Sequence, residues 1–401
     1  MRSPRRLRWT GDDREILRLA FPALGALIAE PLYILADTAV VGRIGTPQLG
    51  GLALASSLLL IGHAVFIFLA YGTTSAVARL LGAGEHRRAA HQAVQSLWLA
   101  GIVGVGLLGT GLLFGPALIS ALGGKGEVAT NAEVYLRISM FGVPAMLIAL
   151  AGVGYLRGLQ DTARPFYVAL GTALLNLVLE LVLIYGFDQG IGASALSTVV
   201  AQWVAAAVFI AWIRSAVASH HVTMRPDPAM IRELAGAGFD LFLRTVALRG
   251  SLTITLAVAA RIGDEDLAAH QIAFEIWNLM ALTLDAIAIA AQAMIGRELG
   301  AGNPARARAL GRRMTLWGVV AGLGLGLVLL ATSPVLPHIF SEDEAVLALA
   351  SFLLVHVAVS QPVAGVVFAL DGVLIGAGDL RYLAWAMWGA AVVLIGGGLV
   401  V

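Results

Sequence analysis

The chain has 401 residues, 59% of them apolar and 13% charged, where soluble domains carry roughly 45–50% and 25%. Its mean hydropathy is +0.87, and 26 bases against 25 acids leave a net charge of +1, which gives no global attraction to nucleic acid. There are no cysteines, so disulfides, thiolate metal sites and cysteine nucleophiles are excluded.

The charges are clustered and leave long apolar runs between them. A helix crossing a bilayer needs about 20 such residues, whereas the strands of a membrane barrel need about ten. The runs therefore predict an all-α, many-spanning membrane protein. A basic lead, Arg2 to Arg18, enters span one at 16–41, and spans follow at 49–78, 92–115, 133–157, 165–187 and 191–214. A polar linker with Pro226 and Pro228 comes next, then spans at 233–260, 267–296, 309–331, 350–376 and 382–401, eleven in all. With the N-terminus inside, cytoplasmic segments hold 20 of the 26 Lys and Arg residues, and the outer ends hold Arg43, Lys125, Arg137 and Arg261. That bias predicts a multi-pass protein of the plasma membrane with a cytoplasmic N-terminus.

An internal repeat organises the chain. Arg79-Leu80-Leu81-Gly82-Ala83-Gly84 recurs as Arg297-Glu298-Leu299-Gly300-Ala301-Gly302, 218 positions later. The same offset takes Phe21 to Phe239, Arg43-Ile44-Gly45 to Arg261-Ile262-Gly263, Pro144 to Pro362, Gly158 to Gly376 and Asp161 to Asp379. Six spans precede the second copy, so both copies start inside, as parallel repeats about an axis normal to the membrane. The expected division is an N-terminal lobe at 1–214, a cytoplasmic linker at 215–232 and a C-terminal lobe at 233–401. The image of span six would lie at about 409–432, beyond Val401. The expectation is thus a truncated second lobe lacking a twelfth helix.

Acids inside a span cost roughly 2.5–3.5 kcal/mol on insertion scales and call for a role. Span one carries Glu30, Tyr33 and Asp37 at steps of three and four, on one helix face. Asp37 lies about 9 Å below the outer boundary, by helix rise. Asn176 and Glu180 are i and i+4 in span five, and Thr198 of span six sits at a similar depth of about 12 Å. Meeting in the first lobe, they form a proton site, since neighbouring carboxyls in a dry pocket hold a proton near neutrality. With neutral oxygens nearby the same set suits Na⁺; a structural, protonated carboxyl is the plainer reading.

The second copy replaces Asp37 by Thr255, Asn176 by Leu394 and Glu180 by Gly398. It has its own acids, Glu275, Asp285 and Asp371, and the last two are candidates for a substrate or second ion site. Asp240 and Arg244, i and i+4, are expected to neutralise each other, with Arg249 partnered by Asp285 or Asp371. Pro22 and Pro31 place a kink in span one, static or hinged. His63, His270 and His356 lack metal-type spacing. The Gly-Ala-Gly segments lack the Lys-Ser/Thr of a phosphate loop and are expected to end helices at cytoplasmic turns.

These motifs together resemble the multidrug and toxic compound extrusion (MATE) family. Leu267-Ala268-Ala269-His270-Gln271-Ile272-Ala273, Trp277, Leu284-Asp285, Ala290-Ala291-Gln292, Arg244-Thr245 and Asp371-Gly372 are similar to its DinF-type branch, over nearly the whole chain. The resemblance implies a two-lobed secondary antiporter, not an enzyme, that exports cationic, amphiphilic compounds in exchange for protons. It implies coupling residues at Asp37, Asn176, Glu180 and Thr198 with Tyr33 beside them, and bending of helix 1 at Pro22. Glu180 stands where the branch has Asp. No cofactor is expected beyond the coupling ion, and the expected partners are a small-molecule substrate and the bilayer, with the protein a monomer. The other readings are a Na⁺-coupled exporter, a lipid-linked precursor flippase of the same superfold and a non-transporting fragment. A membrane prenyltransferase is disfavoured, because Asp12-Asp13, the sole adjacent Asp pair, precedes span one.

Overall fold

The computed structural model describes residues 9–187 and 189–398. Arg2, Arg5, Arg6 and Arg8 of the basic lead, Asp188 and the last three residues of span eleven lie outside them. The elements are α1 (Gly11–Gly42), α2 (Thr46–Phe66), α3 (Phe68–Gly82), α4 (His86–Ala121), α5 (Gly126–Met140), α6 (Val143–Gly158), α7 (Ala163–Leu181), α8 (Ile191–Ser219), α9 (Pro228–Ile262), α10 (Asp264–Gly300), α11 (Pro304–Thr332), α12 (Glu344–Ala377) and α13 (Leu380–Gly398). A π-helical turn, Val182–Gly186, extends α7. Among the described residues ten helices are long and apolar enough to cross a membrane, α2 with α3 counting as one, and α5 with α6 forms an eleventh, bent span. The fold is all-α and polytopic, as the hydropathy pattern predicts.

The 218-residue offset holds at the helix ends. It takes Gly82, the end of α3, to Gly300, the end of α10, and the first residues of α4 and α5 to those of α11 and α12. Gly84 and Gly302, just past these ends, both have left-handed φ near +74° and +72°. This is the conformation in which glycine carries no steric penalty, so the Gly-Ala-Gly segments do end helices.

The copies differ in continuity. Span two is broken at Ile67, between α2 and α3, where α10 runs straight through Asp285. Span four bends by 49° between α5 and α6, where α12 is unbroken despite Pro362 at the position of Pro144. The break falls at Gly142, a weak helix former, and Ser360 is its image in α12. The indole Nε1 of Trp203 donates to the freed Phe141 carbonyl at 3.0 Å.

The largest apolar core joins α2–α6 and α8, with Leu241 of α9, Ile375 of α12 and Leu380 and Leu383 of α13 added to it. A second core packs Ile16, Leu19, Ala20 and Ala23 of α1 against α10, α11 and Ala369 of α12. Hence the N-terminal half of α1 packs on the second copy, while its C-terminal half turns to α7 and α8 of its own copy through Val40, Ile184 and Ala193. α1 stays one helix through Pro22 and Pro31. Near Pro22 the buried Thr162 hydroxyl donates to the Leu19 carbonyl at 2.9 Å.

Charged contacts fasten the N-terminal end of α1. Asp13, fully buried, accepts from Arg313 at 2.6 Å and from the Trp317 indole at 2.7 Å. Asp12 pairs with Arg306 at 2.5 Å and Glu15 with Arg297 at 3.0 Å.

Candidate functional site

The C-terminal halves of α1 and α7 and the N-terminal half of α8 converge on a buried polar cluster. Asp37 of α1 is 4% exposed and Glu180 of α7 is 0% exposed, with their carboxyls against each other. The Ser194 hydroxyl of α8 donates to Asp37 Oδ1 at 2.5 Å. One turn on, the Asn176 amide donates to Ser197 Oγ at 3.3 Å and to Thr198 Oγ1 at 3.0 Å. Tyr33 shares a 3.0 Å hydrogen bond with Thr198. The five residues read from the sequence, Tyr33, Asp37, Asn176, Glu180 and Thr198, thus come together. Pro22 lies more than a turn toward the N-terminus of α1, away from all of them.

The satisfaction of this cluster is one-sided. Neither oxygen of Glu180, nor Oδ1 of Asn176, receives a well-aligned hydrogen bond among the described residues. Buried acceptors are rarely left so, at about 1–3 kcal/mol each and more for a charged group. No Lys or Arg pairs with Asp37 or Glu180 among the described residues. Buried acceptors left without a donor or a countercharge carry an uncompensated desolvation cost. The π-turn that starts just beyond Glu180 adds a local irregularity of the kind found at functional sites.

Spacing along single helices does not identify Ser194, Ser197 and Tyr135. Tyr135 of α5, 3% exposed, places its hydroxyl by Asp37, Ser194 and Thr198. Small hydroxyls are ordinary in membrane helices, where they bond their own backbone, and Ser197 does so too. The available signal was their depth: Ser194 is four residues before Thr198, on the same helix face.

The second copy holds a different cluster. Arg244 of α9 donates to Asp371 of α12 from Nε at 3.0 Å and from Nη2 at 2.7 Å. The expected Asp240–Arg244 pair is therefore not formed, because the guanidinium turns inward across the helix interface instead of along α9. The Tyr71 hydroxyl of α3 donates to Asp285 Oδ2 at 3.2 Å, and the buried Arg157 of α6 lies close enough to Asp285 to act on it electrostatically. Arg249 is exposed and pairs with neither Asp285 nor Asp371 among the described residues, since Arg157 and Arg244 already serve those acids. Glu275 sits outside both clusters and accepts from Gln271 at 2.9 Å. His63 approaches Glu30 at 3.6 Å, and His356 bonds the Phe352 carbonyl of its own helix.

Comparison with known proteins bears on the family and the fold. The MatE family model matches residues 22–182 and 242–398, one block in each copy. "Protein DETOXIFICATION 44, chloroplastic" of Arabidopsis thaliana is 32% identical over 390 residues, spanning 93% of this chain and 74% of that protein. "DNA damage-inducible protein F" of Escherichia coli (strain K12) is 29% identical over 381 residues, spanning 92% of this chain and 81% of its own length. Among solved structures, an "Outward-facing conformation of a multidrug resistance MATE family transporter of the MOP superfamily" has the same fold, with a TM-score of 0.83 at 22% identity over 94% of this chain and 85% of that one. Two helical copies, a membrane-buried acid cluster and a family match over both copies make this chain a member of the MatE family of multi-pass membrane efflux transporters.

Proposed function

We propose that the protein is a proton-coupled antiporter that exports amphiphilic organic cations by alternating access. Its coupling site is Asp37 and Glu180, supported by Asn176, Thr198 and Tyr33, and Ser194 and Tyr135 complete the shell. The observation that carries this reading is the pair of adjoining buried carboxyls with two oxygens unbonded. Two like charges in a dry pocket cannot both persist, and one proton held between them converts repulsion into a hydrogen bond. Loading that proton removes a charge from the α1–α7 interface; losing it restores the repulsion. Such a change biases two packings of α1, with Pro22 as the bending point and Thr162 holding the carbonyl beside it.

The two copies act as lobes, 1–214 and 233–401, joined by the linker 215–232, in a monomer. The arginine distribution supports a cytoplasmic N-terminus and a plasma-membrane location. Asp285 and Asp371 form the second polar region, to which substrate or a further ion binds, and Arg249 adds a positive group to the same helix as Arg244.

The test uses proteoliposomes, a fluorescent organic cation and an imposed pH gradient. Asp37→Asn is expected to abolish pH-driven transport while insertion and folding persist. Full pH-driven transport by that variant would place the coupling site elsewhere. A Na⁺-coupled exchange is the second reading, favoured by the free Asn176 Oδ1 beside the acids. Transport driven by a Na⁺ gradient at equal pH on both sides, and lost in Asn176→Leu, would establish it over the proton.

A further inference from the structure

Parallel copies about one axis present every cross-copy contact twice. The crossing of α3 and α10 at the cytoplasmic side obeys this rule. A methyl group on Gly82 would overlap the Arg297 carbonyl, and one on Gly300 would overlap the Arg79 carbonyl. The helices meet backbone to backbone, as a matched pair.

The ion pair beside this crossing breaks the rule. On one side Arg297 of α10 binds Glu15 of α1 at 3.0 Å, with Gln160 as a further acceptor. The 218-residue offset maps Glu15 to Glu233 of α9 and Arg297 back to Arg79 of α3. Both charges of the pair are thus present a second time, yet Arg79 and Glu233 are not joined. They line a common cavity of about 290 Å³ between α3, α4 and α9. Arg79 instead lies over Gly378 and donates to the Ala377 carbonyl at 3.2 Å. Gly378 is the image of Gln160, so the residue that braces Arg297 is replaced by one with no side chain, and the guanidinium lies back on the end of α12.

The surroundings differ in the same sense. Arg313 of α11 holds the first turn of α1 by a charged clamp on Asp13. Its image is Gln95 of α4, which holds the entry to α9 only by neutral bonds, to the Arg225 carbonyl at 3.1 Å and from the Asp227 amide at 2.8 Å. The remaining charge on this wall, Arg88, is taken by Glu85 at 2.5 Å. The cytoplasmic end of α1 is therefore fastened by charge, and that of α9 stands off across a cavity with its charged pair unmade.

We propose that Arg79 and Glu233 form a second latch between the copies, open in this conformation and closed in another conformation of the transport cycle, when the cytoplasmic end of α9 moves onto α3. A partly exposed pair shifts a two-state equilibrium a few-fold and does not lock it, as a contact made and broken on each turnover requires. The inference rests on the alternating-access reading above.

Charge reversal tests it. Arg79→Glu and Glu233→Arg are each expected to slow transport of the fluorescent cation several-fold, and the double reversal to return the rate to within about two-fold of the parent, since a pair of this kind is worth only a few-fold. The two residues are apart here, so rescue requires a conformation in which they meet. A double variant as slow as the slower single overturns the latch. Because the chain has no cysteine, Arg79→Cys with Glu233→Cys gives a background-free second measurement. Cross-linking by a short bis-maleimide should rise during turnover over the resting level and stop transport; equal cross-linking in both conditions overturns the latch even where a reversal variant fails to reach the membrane. Parent transport in the same vesicles separates the two readings: its absence counts against the transport reading, whereas failed rescue with the parent active counts against the latch alone.

Discussion

The two buried polar clusters are built from similar acids and satisfied in opposite ways. In the first copy Asp37 and Glu180 face hydroxyls, an amide and each other, with no Lys or Arg paired to them among the described residues. In the second, Asp371 is gripped by Arg244 at 2.7 Å and Asp285 has Tyr71 and the nearby Arg157. A compensated acid asks for nothing from outside, and its partner fixes it in place. An uncompensated one is stable only with a proton or a metal ion that the chain does not own. On the reading proposed above, ion exchange belongs to the first copy, and positional rigidity, or binding to a substrate that displaces an arginine, to the second.

The largest effect separates the clusters outright. Glu180→Gln gives the Asp37 carboxylate a permanent amide donor, which mimics the loaded state. It should abolish pH-driven transport yet leave the thermal unfolding midpoint in detergent unchanged or raised. A lowered midpoint with residual pH-driven transport would dissolve the distinction. Next in size, Arg244→Ala leaves Asp371 buried and alone and should destabilise the fold by about 3 kcal/mol. Arg244→Met with Asp371→Leu should recover most of that loss, read by the same thermal unfolding. If the double variant is no more stable than the single, the pair is not what neutralises Asp371. Gly300→Ala drives a methyl group into the Arg79 carbonyl at the α3–α10 crossing and should cost about 1–3 kcal/mol by overpacking; Gly324→Ala, with open space at its Cβ, is the matched control. The smallest effect belongs to Tyr33→Phe, which removes one hydrogen bond to Thr198 worth about 1 kcal/mol. It should shift the pH at half-maximal transport by less than about one unit, since one unit corresponds to about 1.4 kcal/mol.

Much of this is legible in the sequence. Asp37 with Tyr33, and Asn176 with Glu180, are i and i+4 pairs, so each falls on one face of its own helix whatever the packing. Equal depth then brings the two faces level. The Gly-Ala-Gly turns were legible because left-handed φ at Gly84 and Gly302 is a local demand. The offset of 218 predicted which helix ends correspond, because both copies must traverse the same bilayer thickness.

Other features rest on contacts that no local pattern encodes. Arg244 pairs with Asp371, 127 residues away, and not with Asp240 one turn away, because its guanidinium reaches inward to α12, where two of its nitrogens meet one carboxylate oxygen. Tyr135 reached the acid cluster because α5 is set off from α6 by the bend at Gly142, which the aligned Pro144 and Pro362 do not distinguish. The sequence by itself thus determined the membrane class, the helices, the doubling of the bundle and the depth of its buried acids, since these follow from hydropathy, helix period and bilayer thickness. Only the tertiary structure decided which acids keep a cation, where the two copies break and where α1 changes partner from one copy to the other. Those outcomes depend on how helices distant in sequence turn toward one another, and the free energy of burying a charge is set by the neighbour it finds there.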